Sequence, residues 1–246
     1  MQHLKTTITM ALALMSLAGG LPADGHGKTK PGKPQPQAMV LDAVRDFGFL
    51  PQRAEVSHTF WLQNRGRAPL NVSKIKAGCS CTSASKISKP INPGDSAAVE
   101  IRFRSGRYRG KVHKKTTVFT NDPMREELEL HIIATVVEKD QPAGPVMVEP
   151  FRILLVAEGD TIRTQVDTLV FSTEEESEYR IEFSGGPQGV KVETVDPGAL
   201  TAGAPVAFTV EVVEPQPTPY LSTASFGFRV IGSDTTGISV PVTIEH

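Results

Sequence analysis

Cysteine is scarce in this chain of 246 residues, which contains only Cys79 and Cys81. The sequence has no Cys-x-x-Cys pair and no alternation of strands with helices, which disfavours a thioredoxin-like redox catalyst. It also lacks long stretches with the apolar spacing of an amphipathic helix. No acid, base and nucleophile stand together as a catalytic set, and this absence disfavours an enzyme.

What is present indicates an all-β protein. The chain has 21 glycines and 19 prolines, and Val, Thr, Ile and Phe recur in short runs, which is typical of strands separated by turns. In the first part of the chain such runs lie at residues 44–50, 55–62, 70–76, 97–103, 111–120 and 128–137. Strands of this length and spacing predict a β-sandwich.

The N-terminus has the three-part layout of a signal peptide, predicted at residues 1–23. Lys5 supplies the positive region, residues 8–17 are apolar, and small residues follow. The apolar run is too short to cross a bilayer, which needs about 20 residues. Residues 24–38, rich in Lys and Pro, are expected to form a disordered linker. The mature protein is therefore predicted to be exported, to a periplasmic space or to the outside of the cell.

Charge is distributed unevenly along the chain. Residues 39–141 contain 17 Lys/Arg and 11 Asp/Glu, a net charge of +6, whereas residues 142–246 contain 5 Lys/Arg and 15 Asp/Glu, a net charge of −10. Opposite signs in the two halves suggest two domains that bind different partners or attract each other.

Several short motifs of the first half occur in a characteristic order. They are Phe47-Gly48, then Phe60, Leu62, Asn64, Gly66 and Pro69-Leu70, then Cys79-x-Cys81-Thr82, then Pro93-Gly94-Asp95-Ser96, and then Asn121-Asp122-Pro123. In order and spacing these motifs resemble a bacterial exported domain of unknown function, family 1573, over roughly residues 40–137. The resemblance implies an immunoglobulin-like sandwich related to the major-sperm-protein type, and it implies no activity. Where the family usually has glycine between the two cysteines this chain has Ser80, which restricts φ there.

The second half is expected to be another copy of the same architecture, without cysteines. Residues 202–210 echo the turn and strand at residues 93–101, and residues 238–244 echo the strand at residues 128–134. The sequence therefore predicts two tandem immunoglobulin-like β-sandwiches, at residues 39–141 and 142–246, after the signal peptide and the linker.

The cysteine pair has three interpretations. In an exported protein a Cys79–Cys81 disulfide is the default, although so short a ring gains little loop entropy and strains the bond. Two thiolates on one face of an extended segment also suit Cu(I), with His58, His113 or His131 as a further ligand. The third interpretation is free or intermolecular thiols.

A basic stretch lies at residues 102–115, between and partly within the strands predicted at residues 97–103 and 111–120. Its Lys and Arg residues are Arg102, Arg104, Arg107, Arg109, Lys111, Lys114 and Lys115. The stretch is a candidate site for polyanions such as lipid head groups or acidic polysaccharide, whereas the export signal disfavours nucleic acid. An ordinary solvent-facing strand surface explains the charges equally well, and docking to the acidic second half is a further alternative.

Together these features predict an exported, non-enzymatic β-sandwich protein that binds or scaffolds a protein or another component of the cell envelope. No cofactor is expected, and the mature chain is expected to have no transmembrane segment. The alternative function is thiol-dependent, either copper binding or disulfide exchange at Cys79 and Cys81.

Overall fold

The protein is built from β-strands. A computed structural model describes residues 33–138, 140–162, 165–195, 198–213, 215–217 and 221–245, and the predicted signal peptide lies outside them. Every secondary-structure element that lies wholly in the described residues is a strand, which confirms the all-β prediction. No helix among the residues described is long and apolar enough to span a membrane.

The strands fall into two groups along the chain. In residues 33–138, here called the N-terminal half, they are β1 (Ala38–Val40), β2 (Val44–Pro51), β3 (Glu55–Asn64), β4 (Val72–Ala77), β5 (Thr82–Ala84), β6 (Ser96–Arg104), β7 (Gly110–Thr120) and β8 (Glu127–Val137). In residues 140–245, the C-terminal half, they are β9 (Met147–Glu149), β10 (Ile153–Glu158), β11 (Thr161–Ile162), β12 (Val166–Ser172), β13 (Arg180–Gly185), β14 (Val190–Thr194), β15 (Val206–Val212), β16 (Gln216–Pro217), β17 (Ser225–Ile231) and β18 (Thr235–Glu245).

Alternating side chains explain why these segments are strands. In β15, for example, Val206, Phe208, Val210 and Val212 are buried, and the residues between them are half-exposed. This two-residue period places one apolar face against a core and leaves the other face towards solvent. The strands predicted at residues 44–50, 55–62, 70–76, 97–103, 111–120 and 128–137 are confirmed to within two residues at each end.

The strands form three sheets, one of which runs through both halves. A four-stranded sheet with the order β1-β3-β6-β5 belongs to the N-terminal half, and one with the order β14-β15-β12-β9 belongs to the C-terminal half. The third sheet has ten strands, eight of them in the order β16-β11-β10-β18-β2-β8-β7-β4, while β17 pairs with β18 and β13 with β17. Each half has its own hydrophobic core cluster, made of buried side chains from its four-stranded sheet and from its part of the ten-stranded sheet.

The two halves are joined where β2 meets β18. Ile238 of β18 pairs with Phe49 of β2 in parallel, and the Ser239 hydroxyl donates a 2.7 Å hydrogen bond to the carbonyl of Phe47. A Cβ on Gly48 would lie 2.0 Å from the Gly237 carbonyl oxygen, so the two backbones come closer here than any side chain allows. We call this contact the joint.

Gly48 also redirects β2 from one core to the other. Its φ of 65° lies in the left-handed region, which glycine adopts readily, and the register between β2 and β8 shifts at this point. As a result Phe47 is buried in the N-terminal core, whereas Phe49, two residues later, packs against the C-terminal core. A single strand therefore contributes side chains to both cores.

The end of the segment predicted as a disordered linker is hydrogen-bonded. The Gln35 carbonyl accepts a hydrogen bond from the N–H of Arg67 and the Gln37 carbonyl accepts one from the N–H of Arg65, each at 2.8 Å. Ala38 is fully buried at the start of β1. The hydrogen-bonded backbone thus begins at Gln35, about four residues before position 39, because N–H groups of the turn after β3 donate to this segment. Residues 24–32 of the linker lie outside the described residues.

Candidate functional site

The two cysteines lie in a turn that carries the chain from one sheet to the other. The turn links β4, at the edge of the ten-stranded sheet, to β5, at the edge of a four-stranded sheet. Within it a disulfide bond joins Cys79 to Cys81, whose Cα atoms are 5.2 Å apart. The segment is a turn, whereas the copper interpretation of the sequence placed both thiolates on one face of an extended segment. The bond forms because the turn folds the two residues towards each other, with a 3.3 Å hydrogen bond from Thr82 N–H to the Cys79 carbonyl.

Neighbouring strands hold the turn on both sides. Gly78 N–H donates to the carbonyl of Lys115 on β7, and Arg104 N–H on β6 donates to the carbonyl of Cys81, each at 2.9 Å. A Cβ on Gly78 would lie 2.7 Å from the Lys115 oxygen, so glycine permits this close approach. Among the described non-glycine residues only Arg53 has a positive φ. The φ of Ser80 is therefore not positive, and the turn does not need glycine between its cysteines. Ser80 is therefore accommodated without strain.

The disulfide is half-buried and has one polar neighbour. The hydroxyl oxygen of the buried Thr82 lies 3.4 Å from the sulfur of Cys79 and 3.8 Å from that of Cys81. Both cysteines are used in the bond and neither is free. This arrangement matches the disulfide interpretation of the pair and leaves no free thiol in the chain as it stands.

The histidines considered as copper ligands lie at two separate places. His113 and His131 contact each other on neighbouring strands, with 2.9 Å between Nε2 of the first and Nδ1 of the second. His58 lies elsewhere, beside Arg45 in the cleft described below. In the part of the chain that the structure describes, no group of three or more His, Cys, Asp or Glu residues is placed to hold a metal ion. Cu(I) binding stays a prediction that would require the reduced cysteines.

The structure divides the basic residues between different surfaces. Arg102 and Arg104 lie on β6 of a four-stranded sheet, and Arg107 and Arg109 lie in the loop that follows. Lys111, Lys114 and Lys115 lie on β7, in the ten-stranded sheet. The stretch is continuous in sequence, but its two ends lie on strands of two different sheets, joined by the loop between β6 and β7.

Carboxylates already neutralise much of this charge. Arg102 pairs with Glu100, Arg104 with Glu55, Arg109 with Glu138 and Lys115 with Glu129, at N···O distances between 2.5 and 3.0 Å. The ammonium of Lys114 lies 4.2 Å from the centre of the Tyr108 ring. Polyanion binding by these residues stays a prediction, with Arg107 and Lys111 as the members for which no such contact is found among the described residues.

Sequence reasoning missed a polar cleft between the two halves. Arg45 on β2 and His58 on β3 line it from the N-terminal half, and a glycine-rich segment after β13 lines it from the C-terminal half. The Arg45 guanidinium carbon lies 5.1 Å from the centre of the Phe47 ring. The imidazole of His58 meets the Phe60 ring edge-on, with 4.7 Å between the ring centres. Both polar side chains thus lie on aromatic residues of the core.

Burial lowers the pKa of both groups, and the Arg45 charge adds to the lowering at His58. Burial lowers the pKa of the Arg45 guanidinium, while Asp42 and Asp46 act in the opposite direction. Burial is also the largest cause of the lowered pKa of His58, followed by repulsion from the Arg45 charge and opposed by Asp42. An arginine keeps its charge in either case, so the cleft holds one fixed positive charge beside an imidazole that resists protonation.

The sequence does contain a signal for this cleft. Arg45 stands two residues before the buried Phe47 and His58 stands two residues before the buried Phe60. On a strand, residues two apart share a face, so each polar residue occupies an inward position. Polar residues on inward faces near the end of a sandwich mark a candidate site, although the partner segment from the other half cannot be found this way.

Comparisons with known proteins find a matching family model but give no activity. The model of a family described as "Protein of unknown function (DUF1573)" matches residues 40–136, which confirms the resemblance indicated by the sequence motifs. No curated protein matches the chain.

Solved structures resemble the chain only distantly. A protein of unknown function from Porphyromonas gingivalis W83 is 10% identical, with 85% of this chain and 99% of that chain covered and a TM-score of 0.35. The ASH/PapD-like domain 7 of human CEP192 is 12% identical, with 53% and 98% covered and a TM-score of 0.33. The periplasmic chaperone SfaE is 8% identical, with 85% and 100% covered and a TM-score of 0.32. Similarities at this level carry no inference about function.

Proposed function

We propose that the protein is an exported, non-enzymatic binding module of the cell envelope, in which two tandem immunoglobulin-like sandwiches act as one rigid body. The observation that carries this proposal is the joint. Backbone pairing of Phe49 with Ile238, and the hydrogen bond from Ser239 to Phe47, hold the strands of the two halves together.

A second set of contacts beside the cleft supports a fixed geometry. Ser57 N–H donates a 2.9 Å hydrogen bond to the carbonyl of Thr223, and the hydroxyls of the same two residues are hydrogen-bonded at 3.1 Å. Arg152 of the C-terminal half donates to the carbonyl of Gln52 at 3.1 Å. A preorganised surface made from both halves binds a partner with a smaller loss of conformational entropy than two loosely tethered domains.

The test is retention of an envelope component by the purified protein. The protein is coupled to a solid support, exposed to a detergent-solubilised envelope fraction of its host, and cross-linked partners are identified by mass spectrometry. We expect saturable retention of a defined component, weakened by Gly48→Ala, which disturbs the joint, and unchanged by Gly94→Ala, whose added methyl would meet nothing within 4 Å. Retention of nothing above an unrelated β-sandwich control would overturn the proposal.

The alternative function is thiol–disulfide exchange at Cys79 and Cys81. The observation that favours it is a disulfide in a half-exposed surface turn, where an attacking thiolate can reach the sulfurs. A host strain carrying the Cys79→Ser, Cys81→Ser double variant tests this candidate against the first. If this strain behaves like one that lacks the protein while envelope retention stays intact, exchange is favoured. If it behaves like the wild-type strain, exchange is ruled out.

A further inference from the structure

We propose that the cleft between the two halves is an oxyanion-binding site, in which Arg45 holds the carboxylate or phosphate group of a small ligand. The inference goes beyond the proposed envelope role and is tested on the purified protein alone, so either can fail without the other.

The cleft has the size of a ligand site. Its volume is about 440 Å³, within the range of roughly 300–1,000 Å³ that is usual for small-molecule sites. Arg45, His58 and Thr59 line it from the N-terminal half, and Ser184, Gly186 and Ser225 are among its lining residues from the C-terminal half. Since the joint and the Ser57–Thr223 contacts hold these two walls together, the cleft is a preformed space.

The Nε–H of the Arg45 guanidinium is a hydrogen-bond donor that no described residue uses. Its Nε is buried from solvent and has no hydrogen-bond partner among the described residues. Buried polar groups are almost always paired, so an unpaired one calls for a partner that the described residues do not supply. A small shift of the side chain would bring this donor to an anion in the cleft. The contact with the Phe47 ring, at 5.1 Å, keeps the guanidinium at the cleft.

The nearest carboxylates are engaged elsewhere. The Asp42 side chain accepts a hydrogen bond from Val44 N–H at 3.1 Å, and the Asp46 side chain accepts one from Gly48 N–H at 2.7 Å. Neither forms an ion pair with Arg45, and no other described carboxylate does so. Both carboxylates act on the Arg45 charge from a distance, but neither is bonded to the guanidinium, so its donors remain available to an anion from outside.

Further donors face the same space. Ser57 N–H donates to the Thr223 carbonyl on the side of β3 that β1 does not cover at this point. Amides two residues apart on a strand point to the same side, so Thr59 N–H is directed towards the cleft. Ser184 and Ser225 add hydroxyls, which donate or accept as required. From the C-terminal half, the lining residues bring no ionisable side chain. One guanidinium, an amide and hydroxyls form a donor set for carboxylate or phosphate oxygens and repel a cation.

The first experiment titrates the ¹⁵N-labelled protein with sodium acetate and, separately, with inorganic phosphate at constant ionic strength. The readouts are the Nε–H resonance of Arg45 and the backbone amide of Thr59. We expect both to shift and saturate with at least one of the two anions, with a Kd of about 1–10 mM, as a few charge-assisted hydrogen bonds would give. Saturation by acetate alone assigns a carboxylate ligand, and saturation by phosphate alone assigns a phosphate ligand. Linear, non-saturating shifts with both would overturn the proposal.

Matched variants separate a site from a general charge effect. Arg45→Gln should abolish the saturable shift of the Thr59 amide, and Arg45→Lys, which keeps the charge but loses the Nε donor, should weaken binding at least several-fold. Arg67→Gln makes the same charge change at an exposed turn residue and should leave binding unaltered. Equal weakening by Arg45→Gln and Arg67→Gln would overturn the proposal. If Arg45→Gln fails to fold, the wild-type titration and Arg45→Lys still decide.

Discussion

Asn64 shows how much one buried polar residue can organise. It is fully buried at the end of β3, and its side chain makes four hydrogen bonds to backbone groups. The amide nitrogen donates to the carbonyls of Ala68 and Ile91, at 2.8 and 2.9 Å. The amide oxygen accepts from the N–H groups of Gly66 and Gln37, at 2.9 and 3.2 Å. Three chain segments that are distant in sequence thus depend on one carboxamide.

Replacing this carboxamide should therefore be strongly destabilising. Asn64→Ala removes the side-chain partner of the Ala68 carbonyl and of the Gly66 and Gln37 amides, whereas the Ile91 carbonyl keeps its bond from Leu70 N–H. We expect the free energy of unfolding to fall by about 3 kcal/mol. Urea unfolding followed by circular dichroism measures the change. Gln63→Ala, next to it on the half-exposed face, is the control and should change stability by no more than about 0.5 kcal/mol. Equal effects of the two substitutions would contradict the role assigned to Asn64.

His58 makes stability depend on pH in a defined direction. Burial and the Arg45 charge lower its folded pKa below the ordinary value of 6.5, while Asp42 partly offsets them. Protonation therefore favours the unfolded state. The stability associated with neutral His58 is complete above pH 6.5 and is lost as the pH falls from 6.5 towards the folded pKa.

His58→Gln should remove this part of the pH dependence. We expect the melting temperature of the wild type to fall more steeply than that of the variant between pH 6.5 and 5. Between pH 7 and 8 the difference between the two proteins should stay constant, which serves as the internal control. Parallel curves over the whole range would show that His58 does not resist protonation.

At the scale of elements, the cysteine turn is held mainly by hydrogen bonds to its neighbours. Its disulfide closes a loop of three residues, and so short a loop restricts the unfolded chain little. The chain-entropy relation gives a contribution of roughly 1.5 kcal/mol for such a loop. The backbone bonds of Gly78 and Cys81 to β7 and β6 do not involve the sulfur atoms, so we expect them to persist when the disulfide is opened.

Removing the disulfide should consequently leave the fold intact. We expect Cys79→Ser, Cys81→Ser, or reduction of the wild type, to lower the free energy of unfolding by no more than about 1.5 kcal/mol. Urea unfolding with and without a reductant tests this, and the double variant should not respond to the reductant. A loss above about 3 kcal/mol would mean that the bond braces the fold.

Local patterns predicted the strands but not how the elements meet. The alternation of Val56, Phe60 and Leu62 defines an inward face from sequence alone, and the glycine and proline turns between strands were equally visible. The joint has no local signal, since it depends on Ser239 and Phe47, which are 192 residues apart. The turn at Cys79 differs from the extended segment considered from sequence, because nothing in its sequence reveals that it crosses between sheets. The cleft needs both halves in place before its second wall exists.

At the scale of the whole molecule, we expect the joint to couple the unfolding of the two cores. Phe49 comes from the N-terminal half and packs against the C-terminal core, as does Val137. Disrupting either core therefore removes packing from the other half. Shared side chains and a shared sheet are the physical basis of cooperative unfolding.

Calorimetry should show one transition for the wild type, with equal calorimetric and van't Hoff enthalpies. Gly48→Ala places a methyl 2.0 Å from the Gly237 carbonyl oxygen, so we expect the joint to open and the single transition to separate into two. Gly94→Ala is the matched control, because its φ of 86° is also positive but its surroundings are open. It should cost about 1–2 kcal/mol of backbone strain and keep one transition. Two transitions in the wild type would contradict the coupling.

The order in which the chain is made gives the joint a further consequence. β18 follows every other described strand along the chain, so it is synthesised after all of them, while β2 is synthesised early. Until β18 arrives, a folded N-terminal half would display an unpaired strand edge and an uncovered Phe49, both of which invite pairing with another chain. A nascent chain that still lacks β18 is therefore expected to be vulnerable to self-association. The same holds for any fragment cut to residues 40–136, the range matched by the family model.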